Sequence, residues 1–132
     1  MVTTYFRNLV ADNVWHTAGT ASLPSEYWLA LSSTTPLADG TGVTEPSSAS
    51  GYSRIKLTGL SAAANGATSN TTSLSWPKLS VSAGTASYWA LFDSKTGGKL
   101  LMGDTLDSLK HLDAGTTIIV DAKNLTLSVL EA

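Results

Sequence analysis

Two histidines, His16 and His111, and a scatter of carboxylates are the residue types able to do acid–base or metal chemistry in this chain. Neither histidine belongs to an HxH or HExxH spacing, so no metal pair is encoded on one strand or one helical face. Asp93, Asp104, Asp107, Asp113 and Asp121 fall at expected strand ends and turns. Asp is common there because its carboxylate accepts hydrogen bonds from nearby backbone amides. No spacing among them singles out a carboxylate pair of the kind glycoside hydrolysis uses. Asp39-Gly40-Thr41-Gly42 has the glycines of a calcium loop but lacks the alternating Asp/Asn ligands a hard cation needs, so it reads as a turn. Serines are abundant, yet no Gly-x-Ser-x-Gly elbow occurs, and Gly40 with Gly42 is not a dinucleotide fingerprint. The sequence predicts no catalytic residue, no metal site, no cofactor and hence no enzyme.

The four tryptophans, Trp15, Trp28, Trp76 and Trp89, are the remaining candidates for a binding surface, since aromatic faces stack on sugar rings. Trp28 and Trp89 lie in apolar strand patterns and read as core. Trp15 lies beside the apolar stripe of a helix and reads as a residue that faces a partner. Two glycosylation-type triplets, Asn70-Thr71-Thr72 and Asn124-Leu125-Thr126, carry no weight without a secretory leader.

These residues are positioned by a mostly β pattern. A short helix is expected over about 3–16, with Leu9, Val10 and Val14 as its apolar stripe, Thr3 or Thr4 as its cap and Gly19 past its end. Strands are expected at 27–32, 52–57, 74–76, 85–92, 99–106, 117–121 and 125–130. In the 52–57 strand, Tyr52, Arg54 and Lys56 share one face. Asp93 to Gly98 and Asp113 to Gly115 turn the chain, and 61–73 reads as a polar connection of weak structure. The expectation is a mainly β fold: an antiparallel β-sandwich of about seven strands with a short N-terminal helix, residues 1–132 forming one domain with the sandwich over about 26–130. The exception to this short-connection pattern is the segment from Thr35 to Arg54. It is pinned by Pro36 and Pro46 and opened by Gly40 and Gly42, and loops this long are commonly functional.

Composition narrows the partners. Only 14% of the 132 residues are charged, against roughly 25% in an average soluble protein. A surface covered by Ser, Thr, Ala and Gly needs little desolvation to bury against other proteins. The net charge of −2, with eight scattered basic residues and no basic run, argues against nucleic acid. The N-terminus has no secretory pattern, and no stretch reaches the ~18 apolar residues of a membrane span. No cysteine is present, which fits a protein made in the cytoplasm.

Three stretches together resemble a known family. The first runs from Tyr27-Trp28-Leu29-Ala30-Leu31-Ser32-Ser33-Thr34-Thr35-Pro36 into Asp39-Gly40-Thr41-Gly42-Val43-Thr44-Glu45 and Gly51-Tyr52-Ser53-Arg54. The second is Ala90-Leu91-Phe92-Asp93-Ser94-Lys95-Thr96-Gly97-Gly98-Lys99-Leu100-Leu101. The third is Asp113-Ala114-Gly115-Thr116-Thr117 with Leu125-Thr126-Leu127. In order and spacing they resemble small phage virion structural proteins, often labelled tail-fibre proteins. Pro46 with Ser47 to Ser50, and Ser82-Ala83-Gly84-Thr85, depart from that pattern. The resemblance implies a non-enzymatic structural protein of the virion, made in the host cytoplasm. Its expected partners are the major capsid protein or other virion proteins, and copies of itself in a trimer, with no nucleic acid or membrane contact. Because a fibre shaft needs coiled-coil heptads or repeated β-elements, and neither is present, a capsid decoration (cement) protein is the preferred expectation. A tail-fibre or tail-tip module, with carbohydrate binding for host adhesion, is the alternative. The expected contact residues are Trp15, Leu37, Asp39, Val43 and Glu45, the last four presented to a neighbour by the long loop.

Overall fold

A computed structural model describes residues 1–16 and 22–128. It is mainly β: one helix, α1 (Thr4–Trp15), is followed by β1 (Trp28–Ser32), β2 (Ile55–Lys56), β3 (Ala67–Ser69), β4 (Leu74–Ser75), β5 (Thr85–Phe92), β6 (Leu100–His111), β7 (Ile119–Val120) and β8 (Thr126–Ser128). All pairings are antiparallel. One sheet has the order β2-β1-β5-β6, while β3 pairs with β8 and β4 with β7 as two short ribbons. The sheets are open, which agrees with the mainly β, antiparallel expectation. Gly19 and residues 129–130 lie outside the described residues.

Period-two alternation decides what each face of the four-stranded sheet buries. Leu29 pairs with Leu91 and Leu31 with Trp89. These four enter the main core with Leu74, Trp76, Leu79, Ile118, Val120, Leu125 and Leu127 from the ribbons and their connections. The intervening residues point the other way. Ala30, Ala90, Phe92 and Leu100 form a second cluster, with Met1 and Val43 packed against it. Both faces are therefore apolar, and the outer one must be covered by something other than a sheet.

The helix is tied to the edge of that sheet through Thr3, the cap. Its side chain accepts from Phe6 N (3.2 Å) and reaches the carbonyls of Leu100 (2.9 Å) and Leu101 (3.0 Å), while its N–H donates to Leu101 O (2.9 Å). Capping and edge pairing are thus satisfied by one residue. The buried stripe is Phe6 and Leu9, with Val10 partly covered. Val14, expected in that stripe, is exposed. Phe6 and Leu9 are three residues apart and stack on one face, which leaves Val14 off the axis of contact.

Three sequence expectations change. The 52–57 strand contracts to Ile55–Lys56, and of the three residues expected on one face Tyr52 and Arg54 are buried while Lys56 is exposed. The 99–106 strand extends to His111 by looping residues out, between the pairs Ala86↔Lys110 and Tyr88↔Thr105. The polar connection at 61–73 contains β3. Its anchor is Asn70, fully buried. The Asn70 amide nitrogen donates to Thr72 O (2.8 Å) and Asp121 O (2.9 Å), and its amide oxygen accepts from Leu125 N (3.0 Å). Its own N–H donates to Leu125 O (3.3 Å), and its carbonyl accepts from Lys123 N (2.8 Å). Every polar group of Asn70 is satisfied, and it joins the two ribbons where their ladders break. The same bonds occupy the nitrogen that a glycan would need. Asn70→Ala leaves one buried backbone group, Leu125 N, without its partner at roughly 1–3 kcal/mol, and removes two part-buried bonds, to Thr72 O and Asp121 O, at less. The expected loss is about 2–4 kcal/mol, read as a lower midpoint in urea denaturation.

Candidate functional site

The covering of the outer face is the loop between β1 and β2. Its tip is an Asx turn: Asp39 Oδ1 accepts from Thr41 N (3.0 Å) and Thr41 Oγ1 (2.6 Å). These bonds hold the Asp39 carboxyl below its ordinary value. Leu37 N donates to Thr41 O (2.8 Å) and Gly40 N to Leu37 O (3.0 Å). Gly42 has φ +92, and a Cβ there would strike the Thr35 carbonyl and Leu37, so glycine is required. The arms are zipped by hydroxyls. Ser32 Oγ donates to Thr34 O (2.6 Å) and accepts from Thr44 N (3.0 Å); Thr34 Oγ1 donates to Gly42 O and meets Thr44 Oγ1 (2.8 Å). Pro36 lies over Gly103 of β6, where even a Cβ would come within 2.8 Å of Pro36 Cγ and of Trp89 O.

The returning arm is fastened by charge. Arg54, 8% exposed, lies with its guanidinium carbon 3.7 Å from the centre of the Phe92 ring. Its Nε and Nη2 donate to the two oxygens of Glu45 (3.0 and 2.8 Å), and Nη1 donates to Ser94 O and Gly97 O (2.8 Å each). Tyr52 Oη donates to Glu45 Oε1 (2.7 Å) and accepts from Leu31 N of β1 (3.1 Å). One bidentate pair thereby connects the loop, the start of β2, the β5–β6 turn and the sheet. Burial pushes the Glu45 carboxyl up, but the bonds from Arg54 and Tyr52 and the Arg54 charge outweigh it and hold the group below its ordinary value. Burial, then the Glu45 carboxylate, push the Tyr52 phenol well above its ordinary value.

The expected contact residues divide accordingly. Val43 packs on the outer sheet face and Glu45 is spent on Arg54 and Tyr52, so these two are turned toward the chain itself and not presented outward by the loop. Leu37 and Asp39 are exposed at the tip. Thr4 N donates to Ala38 O (2.9 Å), which sets that tip against the first turn of α1, beside exposed Tyr5. At the other end of α1, Trp15 is 86% exposed and, with Val2, Phe6, Val10 and Val14, lines a shallow apolar groove. Loop tip and helix thus form one flank, which the sequence presented as two separate features. Among the other tryptophans, Trp76 and Trp89 are core. Trp28, expected in the core, is half-buried on the outer face, donating to Glu26 Oε1 (3.1 Å) with the Lys95 ammonium 5.8 Å from its ring centre. Asp93 accepts from Lys99 N at its turn, as its type suggested (2.8 Å), whereas Asp104 and Asp107, expected at strand ends and turns, lie within β6, where Asp104 accepts from Thr105 N (2.8 Å). Among the described residues no group of three His, Asp or Glu side chains is placed to hold a metal ion.

The Glu45–Arg54–Tyr52 cluster makes the outer face pH-sensitive in both directions. A carboxyl with a depressed folded pKa contributes stability above its unfolded value of about 4.3 that is lost as pH falls through the folded one. A phenol with a raised folded pKa contributes stability that is lost as pH rises past its unfolded value of about 10. Glu45→Gln should flatten the acid side of the stability profile, and Tyr52→Phe the alkaline side, both read by urea midpoints across pH. Arg54→Ala removes one partner of a buried pair and should cost about 3–5 kcal/mol.

A family model described as "Podophage GP4 fiber I protein gp80" matches residues 1–128. No curated protein matches the chain. The family description names a fibre protein and does not mention the head shell, so the decoration reading draws nothing from it.

Proposed function

Because the chain belongs to the family described as Podophage GP4 fiber I protein gp80, and is thereby a structural component of a phage virion, we propose that it is a fibre module and not a cement protein of the head. The family match across residues 1–128 carries this reading. The protein acts by assembling with other virion proteins through buried area, without catalysis, and with copies of itself in a trimer. Its charge-poor composition supports such a role.

The contact surface in this reading is the flank of α1 and the loop tip. Trp15 is its anchor, because an indole projecting beside an apolar groove fits a neighbouring virion subunit that offers an apolar pocket with a polar rim. Leu37 and Asp39 extend the contact, and Val43 and Glu45 support the loop from beneath. Glycan binding has less support: two of the four tryptophans are core and Trp28 already carries Lys95.

Antibody labelling of intact particles tests the location. Label confined to the tail fibres is expected. Label over the head would restore the decoration reading, and absence from the particle would remove both. Trp15→Ala should leave the urea midpoint nearly unchanged, within about 0.5 kcal/mol. Its incorporation into particles should nonetheless drop about tenfold or more. Light scattering of the purified protein checks the trimer.

A further inference from the structure

The chain contains two places where an acidic or amide side chain precedes glycine, Asp39-Gly40 and Asn65-Gly66. At either, the glycine nitrogen can attack the preceding side-chain carbonyl carbon, because glycine has no Cβ to obstruct the approach. The two sites have opposite environments. At the first, Gly40 N donates to Leu37 O (3.0 Å), and the Asp39 carboxylate is held ionised by Thr41, which makes it a poor electrophile. At the second, Asn65 and Gly66 form the two-residue tip of a hairpin closed by Ala64 N to Ala67 O (2.9 Å) and Ala67 N to Ala64 O (3.0 Å). Both tip residues have positive φ, +54 and +77, the geometry that Asn-Gly hairpins prefer. Both are exposed, and neither the Asn65 amide nor Gly66 N is hydrogen-bonded to another described residue.

We propose that Asn65-Gly66 is a built-in covalent modification site, converting spontaneously to aspartate and isoaspartate, while Asp39-Gly40 is protected by its turn. In the first step the Gly66 nitrogen bonds to the Asn65 side-chain carbon. The carbon–nitrogen bond to the amide breaks, the Gly66 proton passes through solvent to the departing nitrogen, and ammonia leaves. Water then opens the cyclic imide at either carbonyl. Attack at the backbone carbonyl yields isoaspartate, which adds a carbon to the main chain within the two-residue turn. Each conversion also adds one negative charge. The remaining asparagines, Asn8, Asn13, Asn70 and Asn124, precede Leu, Val, Thr and Leu, side chains that hinder the same attack. The consequence falls on β3, which begins at Ala67 directly after the turn and carries the pairing with β8.

The test is peptide mapping by mass spectrometry of the folded wild-type protein aged at mildly alkaline pH, with isoaspartate detected chemically, beside the same protein aged in urea. The expected result is a dominant acidic species modified at residue 65 in the folded sample, with residue 39 unchanged there and isomerising only in urea. Asn65→Gly keeps the positive φ available and should abolish the early acidic species. Conversion of residue 65 only in urea would show that the turn protects it and would overturn the proposal. So would folded-state isomerisation at residue 39 as fast as conversion at 65.

Discussion

Burying the Arg54 guanidinium obliges the chain to surround it with acceptors, and the outer face of the fold follows from that obligation. A side chain that always carries charge cannot lose its cost by titrating. Glu45 must therefore be brought to it from the β1–β2 loop, and Ser94 O and Gly97 O from the β5–β6 turn. Phe92 forms the floor beneath. The long loop is held because it delivers Glu45, the β5–β6 turn because it delivers two carbonyls, and Tyr52 because its hydroxyl donates to that carboxylate and accepts from Leu31 N of β1. A buried pair of this kind is weak evidence for net stability, since desolvation offsets much of the attraction. What it enforces is arrangement: any other course for the loop would leave a charge unpaired in an apolar setting.

The loop therefore has two roles separated along its length. Val43 and Arg54 cover the sheet's second apolar face, Arg54 over Phe92, while Tyr52 joins the main core. From Leu37 to Thr41 the loop is a self-contained turn set against the helix. A tip held in this way would lose little conformational entropy in the interface proposed for it. Trp15 completes the flank at the far end of the helix.

Several elements could be read directly from the residue pattern, and the failures have specific causes. β5 alternates cleanly and was legible end to end, as was the Asp93–Gly98 turn. The 52–57 alternation was equally clean but misleading about exposure, because Arg54 and Tyr52 are buried where composition alone would put solvent. Val14 looked like core because helical spacing gives an angle but not where the sheet ends. β3 was missed because its residues, Ala67-Thr68-Ser69, have no apolar signal; they are held by pairing with β8 and by Asn70. Trp28 was placed in the core by its apolar neighbours, although the alternation puts it on the face opposite Leu29.

The sequence by itself determined the class of fold, the absence of a recognisable catalytic set, the turn chemistry of Asp39-Gly40-Thr41-Gly42 and the resemblance to phage virion proteins, because these depend on local periodicity, residue type and ordered short motifs. Tertiary structure alone decided that Glu45 and Val43 face inward, that Arg54 is a buried hub, that Asn70 staples the ribbons, and that loop tip and helix share one flank. Each of those rests on partners far apart in the chain. Which carboxylate meets which guanidinium is set by how strands pair and where a loop crosses them, and no local spacing carries that information.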